Sequence, residues 1–310
     1  MEFINLSGSY LNARLDKKGL QKLILLPDYS PSKDKLPVGS VAVYDKEEHI
    51  ISSKYLGPDT GCGMLLAKFI SDIEDLEDVT NGIASRLLEK PRGLGSLGHG
   101  NHFITFYDVA DTEGSPLKNG EKVVLIHSGS RERGLKLYEQ GLKGDFSLEM
   151  QGQVEDYAKK NREMLLNIIK DTGKIQAEPV FDRPHNFFEI NDGKITYRKG
   201  AVKLVPGEFS VLSSSMAGDA LIVKAKPAIS ELEYSLPHST GRKISRKKAK
   251  EGKVFLDGFP KNIYVPYFIY AENLAGEMPA CYKTVEEITP SIEKYVEITG
   301  KLKPKASIML

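Results

Sequence analysis

Residues 57–69 read GPDTGCGMLLAKF. Three glycines loosen the backbone around Asp59 and Cys62, and an apolar, strand-like run follows at once. Two readings fit the stretch. In one, Cys62 is a small core residue after a tight turn that Asp59 caps. In the other, thiolate and carboxylate, three residues apart, bind a metal together.

The strand that opens at Met64 is one of many. Runs with strand character are LQKLILLP, GSVAVYD, EHIISSKYL, MLLAKFI, HFITFYDV, KVVLIH, NFFEIN, KITYRKG, AVKLVP, ALIVKAK and IYVPYFIYA. Helical runs are fewer: LEDVTNGIASRLLEK, the long SLEMQGQVEDYAKKNREMLLNIIKD, SRKKAKEG and SIEKYVEITG. In the long one, Met150, Val154, Tyr157, Met164, Leu165 and Ile168 recur at helical spacing, which predicts core packing. Many strands, few helices and no regular alternation of the two predict an α+β protein rather than a doubly wound nucleotide fold. No repeat or linker divides the chain, so residues 1–310 read as one domain with a helical excursion at about 147–171.

With 40% hydrophobic and 27% charged residues, the composition is that of an ordinary globular protein. Two cysteines, Cys62 and Cys281, make no disulfide framework and suit a reducing compartment. The N-terminal residues lack the apolar core of a signal peptide, and no apolar run is long enough to span a membrane, so a cytoplasmic protein is expected. The net charge of +1 neither demands nor excludes nucleic acid, but its distribution is uneven. Acidic residues gather in SDIEDLED (71–78), as expected of a solvated loop or helix start, and basic ones in GRKISRKKAK (241–250).

The six histidines have unequal settings. His49, in DKEEHII, lies among charges and reads as a surface residue. His99 and His102 (GHGNHFITF), His127 (VVLIHSGSRERG), His185 (RPHNFFEI) and His238 (LPHSTGRKISR) all stand where a turn-forming stretch meets an apolar run. A strand end fixes a side chain while the neighbouring loop admits a ligand. Each alone reads as a structural histidine. Three of them with Asp59 and Cys62 form a donor set for one or two borderline-soft divalent metals, such as zinc, manganese, iron or cobalt. Ligands scattered over several strands point to a catalytic centre, since zinc fingers draw theirs from close pairs.

Taken together, the motifs resemble those of the RtcB family of RNA-splicing ligases. GPDTGCG, LGHGNHF, IHSGSRERG, YAKKNREML, PHNFFE, YRKGA, SSSMAG, HSTGRKISRKKA and ACYKTVEE occur in family order between about residues 37 and 290. The resemblance implies the family's α+β arrangement and GTP- and manganese-dependent joining of RNA 3′-phosphate or 2′,3′-cyclic phosphate ends to 5′-hydroxyl ends. It implies that Asp59, Cys62, His102, His127 and His185 hold two manganese ions, with Cys62 bridging. By the same resemblance His238 becomes guanylylated. Asn101 and Asn186 match residues that contact the nucleotide phosphates or the neighbouring metal site, and Ser215 and Met216 fall in the guanosine-contacting segment. Gly241 and Arg242 follow the nucleophile, allowing close backbone approach and phosphate pairing, and the remaining cations of 241–250 lie along RNA or face solvent. An archease-like activator is implied; Cys281 receives no role.

Four departures accompany the resemblance, one being that PHSTGR (237–242) stands where an AHGAGR-like context is expected. The chain is shorter than typical members, SSSMAG replaces PGSMGT, and the C-terminal lysine–glycine is replaced by KPKASIML, where Lys303 or Lys305 could substitute. A metal-dependent RNA end-processing enzyme or nucleotidyltransferase that does not seal, and a non-catalytic RNA-binding relative, are the alternative readings.

Overall fold

The apolar runs pair into mixed sheets, and their alternation decides which face each covers. The computed structural model describes residues 1–31, 35–98, 100–144, 146–251, 260–269 and 274–310. Among these, one sheet contains β1 (Glu2–Asn5), β2 (Leu20–Ser30), β3 (Val38–Asp45), β8 (Asn186–Asn191) and β9 (Lys194–Lys199) in the order β1-β2-β3-β9-β8. A second contains β4 (Gly63–Phe69), β5 (Phe103–Ala110), β6 (Lys122–Ser128), β7 (Ala177–Pro184), β11 (Phe209–Leu212), β12 (Ala220–Ala225) and β14 (Val296–Ile308) in the order β11-β12-β14-β5-β6-β4-β7. β10 (Ala201–Lys203) and β13 (Ser235–Pro237) form a short antiparallel pair. The helices are α1 (Leu76–Glu89), α2 (Glu132–Leu142), α3 (Leu148–Gly173), α4 (Arg246–Glu251) and α5 (Val285–Ile292). This is the α+β architecture expected from the sequence.

Period-two alternation sorts the second sheet into two apolar faces. Leu65, Ala67, Ile104, Phe106, Val124 and Ile126 pack under Ile83 and Leu87 of α1 and Leu165, Leu166 and Ile169 of α3. On the other face, Met64, Leu66, Phe103, Val123 and Leu125 pack with Val211, Ile222 and Leu302. A third cluster joins Ile24, Leu26 and Val41 of the first sheet to Leu221 and Val223 of the second and to Ile288 and Ile292 of α5.

Local chemistry explains most boundaries. Asp75 caps α1 by accepting from Asp78 N at 2.9 Å, and Ser147 caps α3 by accepting from Met150 N at 3.2 Å. Thr284 and Glu287 form a capping box at α5. Other elements differ from expectation. EHIISSKYL is not a strand and contains a short 3-10 turn at Ser53–Tyr55. SIEKYVEITG divides: its first residues close α5, and its alternating β-branched residues begin β14, because pairing with β12 outweighs local helix preference. In IYVPYFIYA, only Tyr264 makes a bridge, to Ala306, and residues 270–271 lie outside the described residues, as does Gly252 of SRKKAKEG. The strand β7 and the helix α2 carried no strong periodic signal. In α3 the buried register is Gln151, Val154, Ala158, Asn161, Arg162, Leu165, Leu166 and Ile169, so Met164 faces outward and polar side chains face the sheet.

His49 is buried, not on the surface. Its ring stacks on Tyr44 with centroids 3.8 Å apart, and Nε2 lies 3.2 Å from Tyr197 Oη. The charged residues before it turn to solvent while the ring fills an aromatic cage. Burial pushes its pKa down to about 4, against the opposing pull of Asp16. An unfolded histidine titrates near 6.5, so between that pH and about 4 the unfolded chain binds a proton that the folded one refuses. The cage's contribution is whole above the unfolded pKa and is lost as pH falls through the folded one. Urea unfolding from pH 7 to 4 should therefore cost wild type more than His49→Phe by on the order of 2–3 kcal/mol. Equal pH slopes in the two proteins would contradict this account.

Candidate active site

The register of β4, β5 and β6 brings chemistry to one end of the second sheet. Gly63 pairs with Ser128, Met64 with His127, and Phe103 with His127. Cys62, just before β4, and His102, just before β5, therefore flank His127 near the end of β6. Cys62 Sγ is 3.2 Å from His127 Nε2 and 3.4 Å from His102 Nε2. His185 N donates to the Cys62 carbonyl at 2.9 Å, and its ring centroid lies 5.1 Å from that of His127 and 4.5 Å from that of His238. Asp59, exposed, lines a 300 Å³ cavity together with Cys62, His102 and Arg131.

Burial sets the charge of this cluster. It pushes the Cys62 thiol up to about 12, with Asp59 adding to the rise and Arg162 and Arg131 opposing it. It pushes His102 down to about 3, helped by Arg131, and His127 and His185 well below their ordinary value, helped by neighbouring imidazoles. All three rings are neutral at physiological pH, the protonation state that ligates metals.

The donor set fits a divalent metal. Ligand atoms of Cys62, His102 and His127 lie within 4.8 Å of one another, and His185 Nδ1 is buried without a hydrogen-bond partner among the described residues. Arg131 Nη1 donates to His102 Nδ1 at 2.9 Å, which leaves the ring proton on Nε2. An ion at Nε2 requires that proton to move to Nδ1 and Arg131 to turn its donor elsewhere. Cys62 must likewise lose its proton, so loading the centre releases protons.

His238 stands apart from this cluster in one respect. Its Nδ1 lies 2.7 Å from Asp28 Oδ2 and 2.9 Å from the Gly200 carbonyl, both acceptors. Nδ1 therefore carries the proton, and Nε2 keeps a lone pair. Asp28 is buried at the end of an apolar run on β2, where glycines let the chain crowd it. A Cβ on Gly241, at φ +83°, would fall 2.6 Å from the Asp28 Cα. His238 faces a 270 Å³ cavity that Asn101, Met216, Gly241 and Arg242 also line.

The sequence-predicted residues thus divide. Cys62, His102, His127 and His185 converge beside His238, with Asp59 at the cavity mouth. Asn101, Met216, Gly241 and Arg242 reach the second cavity; Ser215 and Asn186 are not among its lining residues. Ser215 is buried behind Met216, and the Asn186 amide is spent on the Asp59 carbonyl at 3.2 Å and Gly200 N at 2.7 Å. Gly241 meets the Asp28 backbone as well as the cavity. Arg242 is held by Glu277 at 3.0 Å and the Tyr282 hydroxyl at 2.6 Å. Lys305 pairs with Asp108 and does not line the cavity, and it is Met309 that stands there. Lys243 pairs with Glu287 and Lys247 with Glu251, while Arg246 lines the cavity and bonds Glu277 at 2.6 Å. His99 lies outside the described residues. Sequence reasoning missed Asp28, Glu277 and Tyr282. A lone carboxylate ending the apolar LQKLILLPD was the available signal for Asp28, and the ACYKTVEE motif was the one for Tyr282; Glu277 carried none without the fold.

A mixed α+β fold thus holds a Cys/His cluster whose donors suit a divalent metal, beside an imidazole anchored by a carboxylate. A family profile described as tRNA-splicing ligase RtcB matches residues 148–309, just over half of the chain, and the chain belongs to this family. It is 27% identical over 261 residues to the tRNA-splicing ligase RtcB of Aeropyrum pernix, covering 63% of this chain and 54% of that protein. It is 26% identical over 283 residues to that of Nanoarchaeum equitans, covering 70% and 58%. Its identity to the RNA-splicing ligase RtcB2 of Escherichia coli is 26% over 289 residues, covering 79% and 75%. The chain spans little more than half the length of the first two. Among the described residues no helix is long and apolar enough to cross a membrane.

Cys281 sits in a separate small cluster with Ala249, Met278 and Tyr282. Cys62→Ala should accordingly lose most bound manganese in elemental analysis of the dialysed protein, whereas Cys281→Ser should bind as wild type does. Unchanged metal content in Cys62→Ala would return Cys62 to a packing role.

Proposed function

We propose that residues 1–310 act as one catalytic domain, a cytoplasmic RNA ligase that joins 3′-phosphate or 2′,3′-cyclic phosphate ends to 5′-hydroxyl ends. It uses GTP, manganese and a covalent His238–guanylate. The observation that carries this reading is the anchoring of His238 Nδ1 by Asp28 and the Gly200 carbonyl. A nucleophilic nitrogen must have its lone pair free and its other nitrogen protonated, and this pairing supplies both.

Cys62, His102, His127, His185 and Asp59 would hold two divalent ions. Such ions offset phosphate charge and favour in-line displacement. His238 Nε2 attacks the α-phosphorus of GTP, forming an N–P bond as the bond to pyrophosphate breaks. Asp28 holds the Nδ1 proton and stabilises the positive charge that the ring acquires. Arg242 and Arg246 line the cavity wall and would pair with phosphate oxygens by turning from Glu277. An RNA 3′-phosphate oxygen then takes the guanylyl group, the N–P bond breaks, and the neutral imidazole is restored. Finally the 5′-hydroxyl attacks the activated phosphate, loses its proton, and GMP leaves. A cyclic phosphate is first opened by water to the 3′-phosphate. RNA is held by the basic residues of 241–250, and an archease-like protein is the proposed activator.

With manganese and labelled GTP, wild type should form an acid-labile, base-stable protein–nucleotide adduct. His238→Ala should form none, yet bind manganese and still seal RNA already guanylylated at its 3′-phosphate. An adduct on His238→Ala overturns the covalent assignment. Asp28→Asn should slow adduct formation by roughly 10³–10⁴-fold, because an amide donor facing Nδ1 selects the wrong tautomer. Single-turnover rates at saturating GTP read this directly, and a wild-type rate would leave Asp28 a packing residue.

A further inference from the structure

The helix α3 carries three buried polar residues that the proposed chemistry does not use, Gln151, Asn161 and Arg162, and the last two reach the loops that hold Cys62, His102 and His127. Arg162 is 2% exposed, and it lies directly behind the Cys62 loop. A Cβ on Gly63 would fall 3.0 Å from its Cζ, so the residue after Cys62 has to be glycine for the guanidinium to fit. Arg162 Nη1 donates to the Gly61 carbonyl at 3.2 Å and to the Ser128 carbonyl at 3.0 Å. Those are the carbonyls immediately before Cys62 and immediately after His127. Both lie where the β4–β6 ladder ends at the Gly63–Ser128 pair. Nη1 carries two hydrogens, and each takes one carbonyl. Nε donates to Asp182 Oδ1 at 2.8 Å, which sets the plane of the fork and offsets its buried charge.

Asn161 serves the third ligand loop in the same way. Its Nδ2 donates to the Ser96 carbonyl and the Ser128 hydroxyl, each at 3.0 Å, and its Oδ1 accepts from Gly95 N at 2.7 Å. The stretch that precedes His102 is thereby tied to the end of β6.

We propose that Arg162 is the positioning residue of the metal centre. Its one nitrogen bridges the Cys62 and His127 loops and so fixes the separation of the sulfur and imidazole ligand atoms. This rests on the metal-binding reading of those ligands. A lysine would keep the charge but cannot hold two carbonyls in a plane while pairing with Asp182.

Cobalt(II) is the probe, because a thiolate bound to it gives a near-ultraviolet charge-transfer band that reports Cys62 ligation without any turnover. Wild type should show the band. Arg162→Lys should bind cobalt about tenfold or more weakly, with a weakened or shifted band, while its circular dichroism stays wild-type. A wild-type band and affinity in Arg162→Lys overturn the positioning role and leave the metal centre standing. A wild-type protein without the band overturns the metal reading itself, and this proposal with it. Arg162→Gln is the second variant, since its amide reaches one carbonyl only. If both substitutions unfold the metal-free protein under conditions where the wild-type apoprotein stays folded, Arg162 is a packing residue and the proposal fails.

Discussion

The site depends on the register in which β4, β5 and β6 pair. Met64 opposite His127, and Phe103 opposite His127, put Cys62 and His102 on either side of one imidazole. A one-residue slip in any of these strands would send its apolar set to the wrong face and carry its ligand away with it. The same alternation that packs Leu65 and Ile126 under α3 aims His127 at the sulfur. Core packing and site geometry are therefore one constraint, and the hydrophobic effect specifies both.

Desolvation then determines the chemistry the cluster can perform. Cys62, His102, His127 and His185 stand close together at the end of the sheet, and burial favours the neutral form of these three imidazoles and of the thiol. Among the described residues, His238 alone of these rings has a buried carboxylate within hydrogen-bond reach. The His185 and His238 rings thus differ in their second partners. His185 leaves Nδ1 without a partner, whereas His238 has two acceptors on the same nitrogen.

Much of the sheet architecture was legible in the sequence. Strong alternation and apolar runs marked β2 to β6, β8, β9 and β12, and the long helical period marked α3. What failed was local pattern opposed by tertiary pairing. The segment at 291–300 has helical spacing, but Val296 to Gly300 contribute to β14, since β12 offers them ladder hydrogen bonds. His49 sits in a charged sequence yet inside an aromatic cage, because alternate residues of an irregular segment face opposite ways. In α3 Val154 and Leu165 are in the buried register as expected, but Met164 faces outward, and apolar spacing gave no weight to the buried Asn161 and Arg162. Asn161 and Arg162 look like solvent-facing residues until the sheet beneath them is known to end in unpaired carbonyls.

The sequence by itself determined the α+β class and nominated the residues whose chemistry matters, because side-chain type and period are local properties. It marked Cys62, His102, His127, His185 and His238 as chemically unusual by their turn-flanked settings. Only the tertiary structure decided which nitrogen of His238 is free, that Asp28 orients it, and that Arg162 closes the loops around Cys62. Those are relations between groups tens to hundreds of residues apart, such as the 210 that separate Asp28 from His238. A hydrogen bond needs its two partners within about 3 Å, a distance that chain spacing does not encode and that packing alone imposes.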